Sequence, residues 1–99
     1  MAILVVFEFK FDGPWGEEMT RGLGGMALSI AEEPGLVWKM WTGAPERNVA
    51  GGVYLFETKD HAKTYTEKHS VRLKHLGVTD ITVLSYAVNE ALSVITRGR

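Results

Sequence analysis

The chain has 99 residues, 45% of them apolar and 23% charged, which suits one compact domain over residues 1–99 and excludes a disordered or membrane-spanning chain. Eleven Lys and Arg against twelve Asp and Glu give a net charge of -1 and a pI near 6.3, which offers no general attraction to nucleic acid or anionic lipid. Cysteine is absent, so disulfides, thiolate nucleophiles and thiolate metal sites are excluded together.

The run Ala2 to Phe11 is β-branched and aromatic, and "DGP" at residues 12–14 closes it, so it is the first predicted strand. Its "ILVVF" is too short for a signal-peptide core, has no basic residue before it and meets Glu8 and Lys10 at once. The expected location is the cytoplasm. Pro14 suits a first helical turn, Glu17 and Glu18 favour its positive end, and Met19, Leu23, Met26, Ala27 and Ile30 recur at three- and four-residue spacing. Helix one is expected to run to about Glu33, where "EPG" stops it. "LVWKMWT" (36–42) is strand two, "GAPERN" (43–48) a turn and "VAGGVYLFE" (49–57) strand three, which pair as a hairpin. Thr58 caps a second helix whose apolar face is Ala62, Tyr65, Leu73 and Leu76, and Gly77 followed by Val78 reads as a glycine C-cap. Thr79 to Val88 is the last strand, and the tail "NEALSVITRGR" is expected to dock Leu92 and Ile95 before fraying.

The order βαββαβ points to an α+β, ferredoxin-like fold, with four antiparallel strands and two helices on one face. The uncovered face should then be polar. Alternation predicts otherwise: Ile3, Val5, Phe7 and Phe9 oppose Leu4 and Val6, Tyr54 and Phe56 oppose Val53 and Leu55, and Ile81 and Val83 oppose Leu84, Tyr86 and Val88. Two apolar faces imply a homodimer packed through its sheets.

"GLGGMA" (22–27) satisfies the G-x-G-x-x-A dinucleotide fingerprint, but the glycines fall inside a helix about ten residues after the strand, so no nicotinamide or flavin is expected there. Those glycines predict instead a loose, kinked or closely approached helix. His61, His69 and His75 have no metal-ligand spacing, and no metal is expected. His69 lies mid-stripe on the second helix and points at the sheet, as a satisfied buried histidine or as a base or donor in an apolar pocket. Arg72 borders the same stripe, either solvated or ion-paired, or holding an anion. In strand two, a period of two puts Leu36, Trp38 and Met40 on one face and Val37, Lys39 and Trp41 on the other. One tryptophan lies beneath the helices, the other faces the dimer side, and Lys39 sits at a rim or a cavity.

The segments "FDGPWG" (11–16), "EPGLVWKMWT" (33–42), "AGGVYLF" (50–56), "EKHSVRLKHLGV" (67–78) and "VNEALSVI" (88–95) together resemble the YdhR-type monooxygenase family. That family belongs to the dimeric α/β-barrel superfamily, alongside the antibiotic-biosynthesis monooxygenases. The resemblance runs from end to end and implies a ferredoxin-like fold dimerised through its sheets. It further implies a cofactor-independent monooxygenase acting on a small aromatic or phenolic molecule that, once deprotonated, itself reduces dioxygen. On that reading Trp38, Trp41 and Tyr65 stack on the ring with Tyr54 beside them, His69 accepts the proton, and Arg72 or Lys39 stabilises the anion. The sequence departs from the family in its glycine-rich "RGLGGMALS" and in Ala91, where a proline is familiar.

Three other readings compete. A non-catalytic small-ligand-binding or partner-binding dimer needs the same pocket without turnover. Haem-degrading relatives use a second-helix histidine, which His69 matches, and a strand-one asparagine, which is missing. An RNA-binding module with Tyr54 and Phe56 as its stacking platform lacks surrounding basic residues.

Overall fold

The computed structural model describes residues 1–98; Arg99, the last residue of the expected tail, lies outside them. Strand β1 (Ile3–Lys10) leads into helix α1 (Gly16–Ala31), strand β2 (Leu36–Ala44), a short 3-10 turn (Pro45–Arg47), strand β3 (Val49–Phe56), helix α2 (Lys59–His75), strand β4 (Thr82–Ala87) and a short helix α3 (Glu90–Ile95). The strands form one sheet in the order β2-β3-β1-β4, every neighbouring pair antiparallel. This is the expected βαββαβ fold with a third helix added. The tail does not simply fray, because the Asn89 side chain accepts the backbone N–H of Leu92 and caps α3.

Local chemistry fixes the element ends. Thr58 Oγ1 accepts the His61 N–H at the start of α2. At its end, Val78 N–H bonds the Leu73 carbonyl and Gly77 N–H the Lys74 carbonyl, a Schellman cap in which Gly77 adopts φ +83°. Helix α1 carries no such side-chain cap, and only Ile30 of it is buried. It nevertheless runs unbroken through Gly22, Gly24 and Gly25, where the sequence predicts looseness or a kink; a Cβ at any of the three would meet nothing within 4 Å.

Cross-strand pairing sorts the sheet residues. Val5, Tyr54 and Ser85 form one row under the helices, flanked by Phe7, Gly52 and Val83 on one side and Ile3, Phe56 and Ala87 on the other. Val5, Phe7, Tyr54, Phe56 and Tyr65 are almost wholly buried there, each large side chain contributing about 1.5–3 kcal/mol of transfer free energy. On edge strand β2 the strict alternation expected from the sequence fails. Leu36 pairs with Phe56 and Trp38 with Leu55, so Val37 is an extra, bulged residue. The bulge moves Leu36 to the helix face with Lys39 and Trp41, and leaves Trp38 and Met40 on the other.

The outer face carries Leu4, Val6, Trp38, Met40, Val53, Leu55, Leu84 and Tyr86 by the same pairing. Met40, Leu84 and Tyr86 are largely exposed. Helix α3 borders a groove of about 210 Å³ at one corner of this face, lined by Ala2, Leu4, Trp38, Leu55 and Val94. Leu92 and Ile95, expected to dock, are instead 62% and 77% exposed. The six-residue helix has one face to place, and Val94 and Ser93 occupy the groove side.

Candidate functional site

A cavity of about 230 Å³ lies between the helix face of the sheet, α1 and α2. Strand β2 supplies Lys39 and Trp41, β3 supplies Tyr54, and α2 supplies His69. The bulge at Val37 sets β2 in phase, so that Lys39 pairs with Tyr54 and Trp41 with Gly52. Gly52 then has a local reason: a Cβ there would stand 2.7 Å from Lys39 Cε. The bare backbone lets the lysine stem lie flat, and Nζ ends 3.2 Å from the Trp41 ring centroid and 4.7 Å from that of Tyr54. Apolar walls come from Phe9 and Phe11 beyond β1 and from Met19, Leu23 and Met26 of α1. A second hollow of about 290 Å³, lined by Met19, Leu23, Gly24, Ala27 and Trp41, shares three of these residues and leads out beside α1.

Among the described residues, His69 is the single buried polar side chain apart from the tyrosines, 2% exposed. Its ring stacks on Tyr65, centroids 5.0 Å apart, and meets Phe7 edge-on at 5.1 Å. Arg72, one helical turn later, directs Nε (3.2 Å) and Nη2 (2.9 Å) at His69 Nδ1. A guanidinium only donates, so Nδ1 must accept and the ring proton sits on Nε2. Burial, then the charges of Arg72 and Lys39, push the imidazole down to about 3. At neutral pH His69 is therefore neutral and presents an N–H, the donor of the two functional roles that the sequence leaves open.

Lys39 is displaced as strongly: burial, with the nearby Arg72 charge, lowers its pKa from 10.5 to about 7. Burial raises Tyr54 to about 12 and raises Tyr65 further, so both remain phenols, and Tyr65 O–H donates to Tyr54 Oη at 3.1 Å. No carboxylate among the described residues lines the cavity. Among the described residues the ion pair is Lys68 with Glu33, so neither Lys39 nor Arg72 has an acidic partner; beyond His69, Arg72 reaches Ser29 Oγ at 3.4 Å and stands beside the Tyr65 hydroxyl. Among those residues, too, no group of three His, Asp or Glu side chains is placed to hold a metal.

The candidates named from sequence thus fall into three places. Lys39, Trp41, Tyr54 and His69 share the cavity wall. Arg72 and Tyr65 stand behind His69 and hold it. Trp38 lies on the outer face of the sheet and lines the α3 groove instead. Sequence reasoning did not assign Phe9, Phe11, Met19, Leu23 and Met26 to the site; the alternation of strand one and the i, i+4, i+7 stripe of helix one carried that signal, but as core.

The family described as "Putative mono-oxygenase ydhR" matches the chain over residues 4–99. The fold is similar to a crystal structure described as a putative antibiotic biosynthesis monooxygenase from Deinococcus radiodurans, at 17% identity and a TM-score of 0.56, over 90% of this chain and 93% of that one. No curated protein matches the chain.

Proposed function

The chain belongs to the ydhR mono-oxygenase family, and from that premise we propose that it oxygenates a small aromatic or phenolic compound without a cofactor, in the cavity between helices and sheet. The observation that carries this reading is the composition of the cavity: apolar and aromatic walls with a neutral histidine N–H, a lysine and a nearby arginine, and, among the described residues, no carboxylate. Such a site favours a planar ligand that becomes an anion. At about 230 Å³ it is smaller than the roughly 300–1,000 Å³ typical of drug-sized ligands, so it suits one or two rings, with any further length leaving beside α1.

Trp41 and Tyr54 flank the ring, His69 Nε2–H donates to the developing oxyanion, and Arg72 fixes that imidazole in the donating tautomer. The phenolate is its own reductant. For an anthrone-type methylene, the carbon loses two hydrogens, one oxygen atom of O2 becomes its carbonyl, and the other leaves as water.

Oxygen uptake over a panel of phenols, anthrones and hydroquinones, in chelator-treated buffer without flavin or nicotinamide, tests the reading. Protein-dependent uptake that falls in His69→Phe supports it. Uptake equal to the spontaneous rate across the panel rejects it in favour of a non-catalytic ligand-binding role.

The same proposal includes a homodimer joined through the outer sheet faces. Its support is the row of Val6, Val53, Met40 and Leu84, with Tyr86 beside it, standing where a single-layer sheet would otherwise be polar. A monomeric mass by light scattering at micromolar concentration would reject it.

A further inference from the structure

If the site binds a phenol, as proposed above, some group must take the hydroxyl proton. His69 is poorly placed for that task. Its Nδ1 lone pair is held by two Arg72 N–H groups, and its Nε2 already carries the ring proton. Tyr54 and Tyr65 are phenols bonded to each other. The remaining candidate is the lysine. Lys39 reaches the cavity from the edge strand, its stem lying over bare Gly52 and its nitrogen resting on the faces of Trp41 and Tyr54, with no hydrogen-bond or ion-pair partner among the described residues.

The groups facing it can be named element by element. Strand β3 presents Tyr54, and α2 presents His69 with Arg72 behind it. The parts of β1 and α1 that line the cavity present only apolar side chains, and among the described residues no acid stands opposite to hold the ammonium. We propose that Lys39 is the catalytic base of this site: its neutral amine takes the phenolic proton, while the His69–Arg72 pair serves only to donate to the resulting oxyanion. The O–H bond of the phenol breaks, an Nζ–H bond forms, the electron pair stays on the phenolic oxygen, and no oxidant takes part in this step. The products are a phenolate and an ammonium, each the partner the other lacked. Displacement of the amine toward neutrality, to about 7, agrees with this placement.

The experiment uses 4-hydroxyacetophenone, whose anion has its own near-ultraviolet band, and follows the Lys39 side chain directly by 13C NMR of protein labelled at lysine Cε. At pH 7.5, above the Lys39 pKa of about 7 and below the ionisation of the free phenol, wild type is expected to bind the probe and develop the phenolate band. At the same pH, probe binding is expected to move the Lys39 Cε signal from amine to ammonium. Lys39→Met is expected to bind the probe as the neutral phenol, without the band. His69→Phe is expected to keep the band while binding about ten- to hundredfold more weakly, the loss of one hydrogen bond to a charged acceptor.

A band that survives in Lys39→Met, or a Lys39 signal unmoved by the probe, overturns the lysine as base and leaves the phenolic reading standing. Failure of wild type to bind any phenol of the panel overturns both. The wild-type NMR titration needs no substitution, so a poorly folded variant does not remove the test.

Discussion

Replacing Lys39 by methionine keeps an unbranched stem and removes a half-buried amine. Burial and the Arg72 charge depress the folded-state pKa from 10.5 to about 7, a difference worth about 5 kcal/mol. Because the folded pKa lies below the unfolded one, the unfolded chain binds more protons between pH 7 and 10.5, and wild-type stability rises with pH across that window. Below pH 7 both states are protonated and the cost of the buried charge is complete. Lys39→Met is therefore expected to be more stable than wild type by up to about 5 kcal/mol at pH 6, with the difference shrinking toward zero near pH 10.5. Urea unfolding followed by tryptophan fluorescence, at matched protein concentration, measures both ends. An equal difference at the two pH values, or a variant less stable at pH 6, would show that the lysine is not desolvated and would refute the reasoning.

Other expectations rest on single contacts. His69, held near 3 by burial and two cations, resists protonation in the fold, so stability should fall as pH drops from 6.5 toward 3; acid unfolding of His69→Phe should lose that component. Tyr65→Phe removes the donor to Tyr54 Oη and should cost about 1 kcal/mol in a urea melt; no change would mean the two phenols are solvated. In Gly51→Ala the new Cβ would sit 1.9 Å from the Phe7 carbonyl oxygen, which only separation of β1 and β3 relieves. It should cost several kcal/mol, and an unchanged thermal transition by circular dichroism would contradict the strand geometry. Gly22→Ala and Gly25→Ala add Cβ atoms in open space within α1 and should each stabilise by roughly 1 kcal/mol; destabilisation would reveal a second chain packed against that helix. Leu84→Asp should convert a dimer to monomers by light scattering, and a dimer that persists would place the interface elsewhere.

The sequence by itself determined the βαββαβ order that precedes α3, the Thr58 and Gly77 caps, and the placing of His69 on the sheet-facing stripe of α2, because these depend on local chemistry and on a helical period that nothing interrupts. It also showed that both sheet faces are apolar, since alternation along β1 and β3 survives pairing intact. The tertiary structure alone decided which tryptophan meets the cavity. Parity along β2 could not place the two, and the Val37 bulge, which moves Leu36 across, arises only when an edge strand is paired with β3. The surroundings of His69 and Lys39 were likewise decided by packing. A histidine on an apolar stripe reads as base or donor alike until Arg72 is seen occupying Nδ1, and a strand lysine reads as a rim or a cavity residue alike until Gly52 lets it lie inward on Trp41. Spacing fixes which residues share a face, whereas protonation depends on which charges and ring faces converge from different elements, and that convergence exists only in three dimensions.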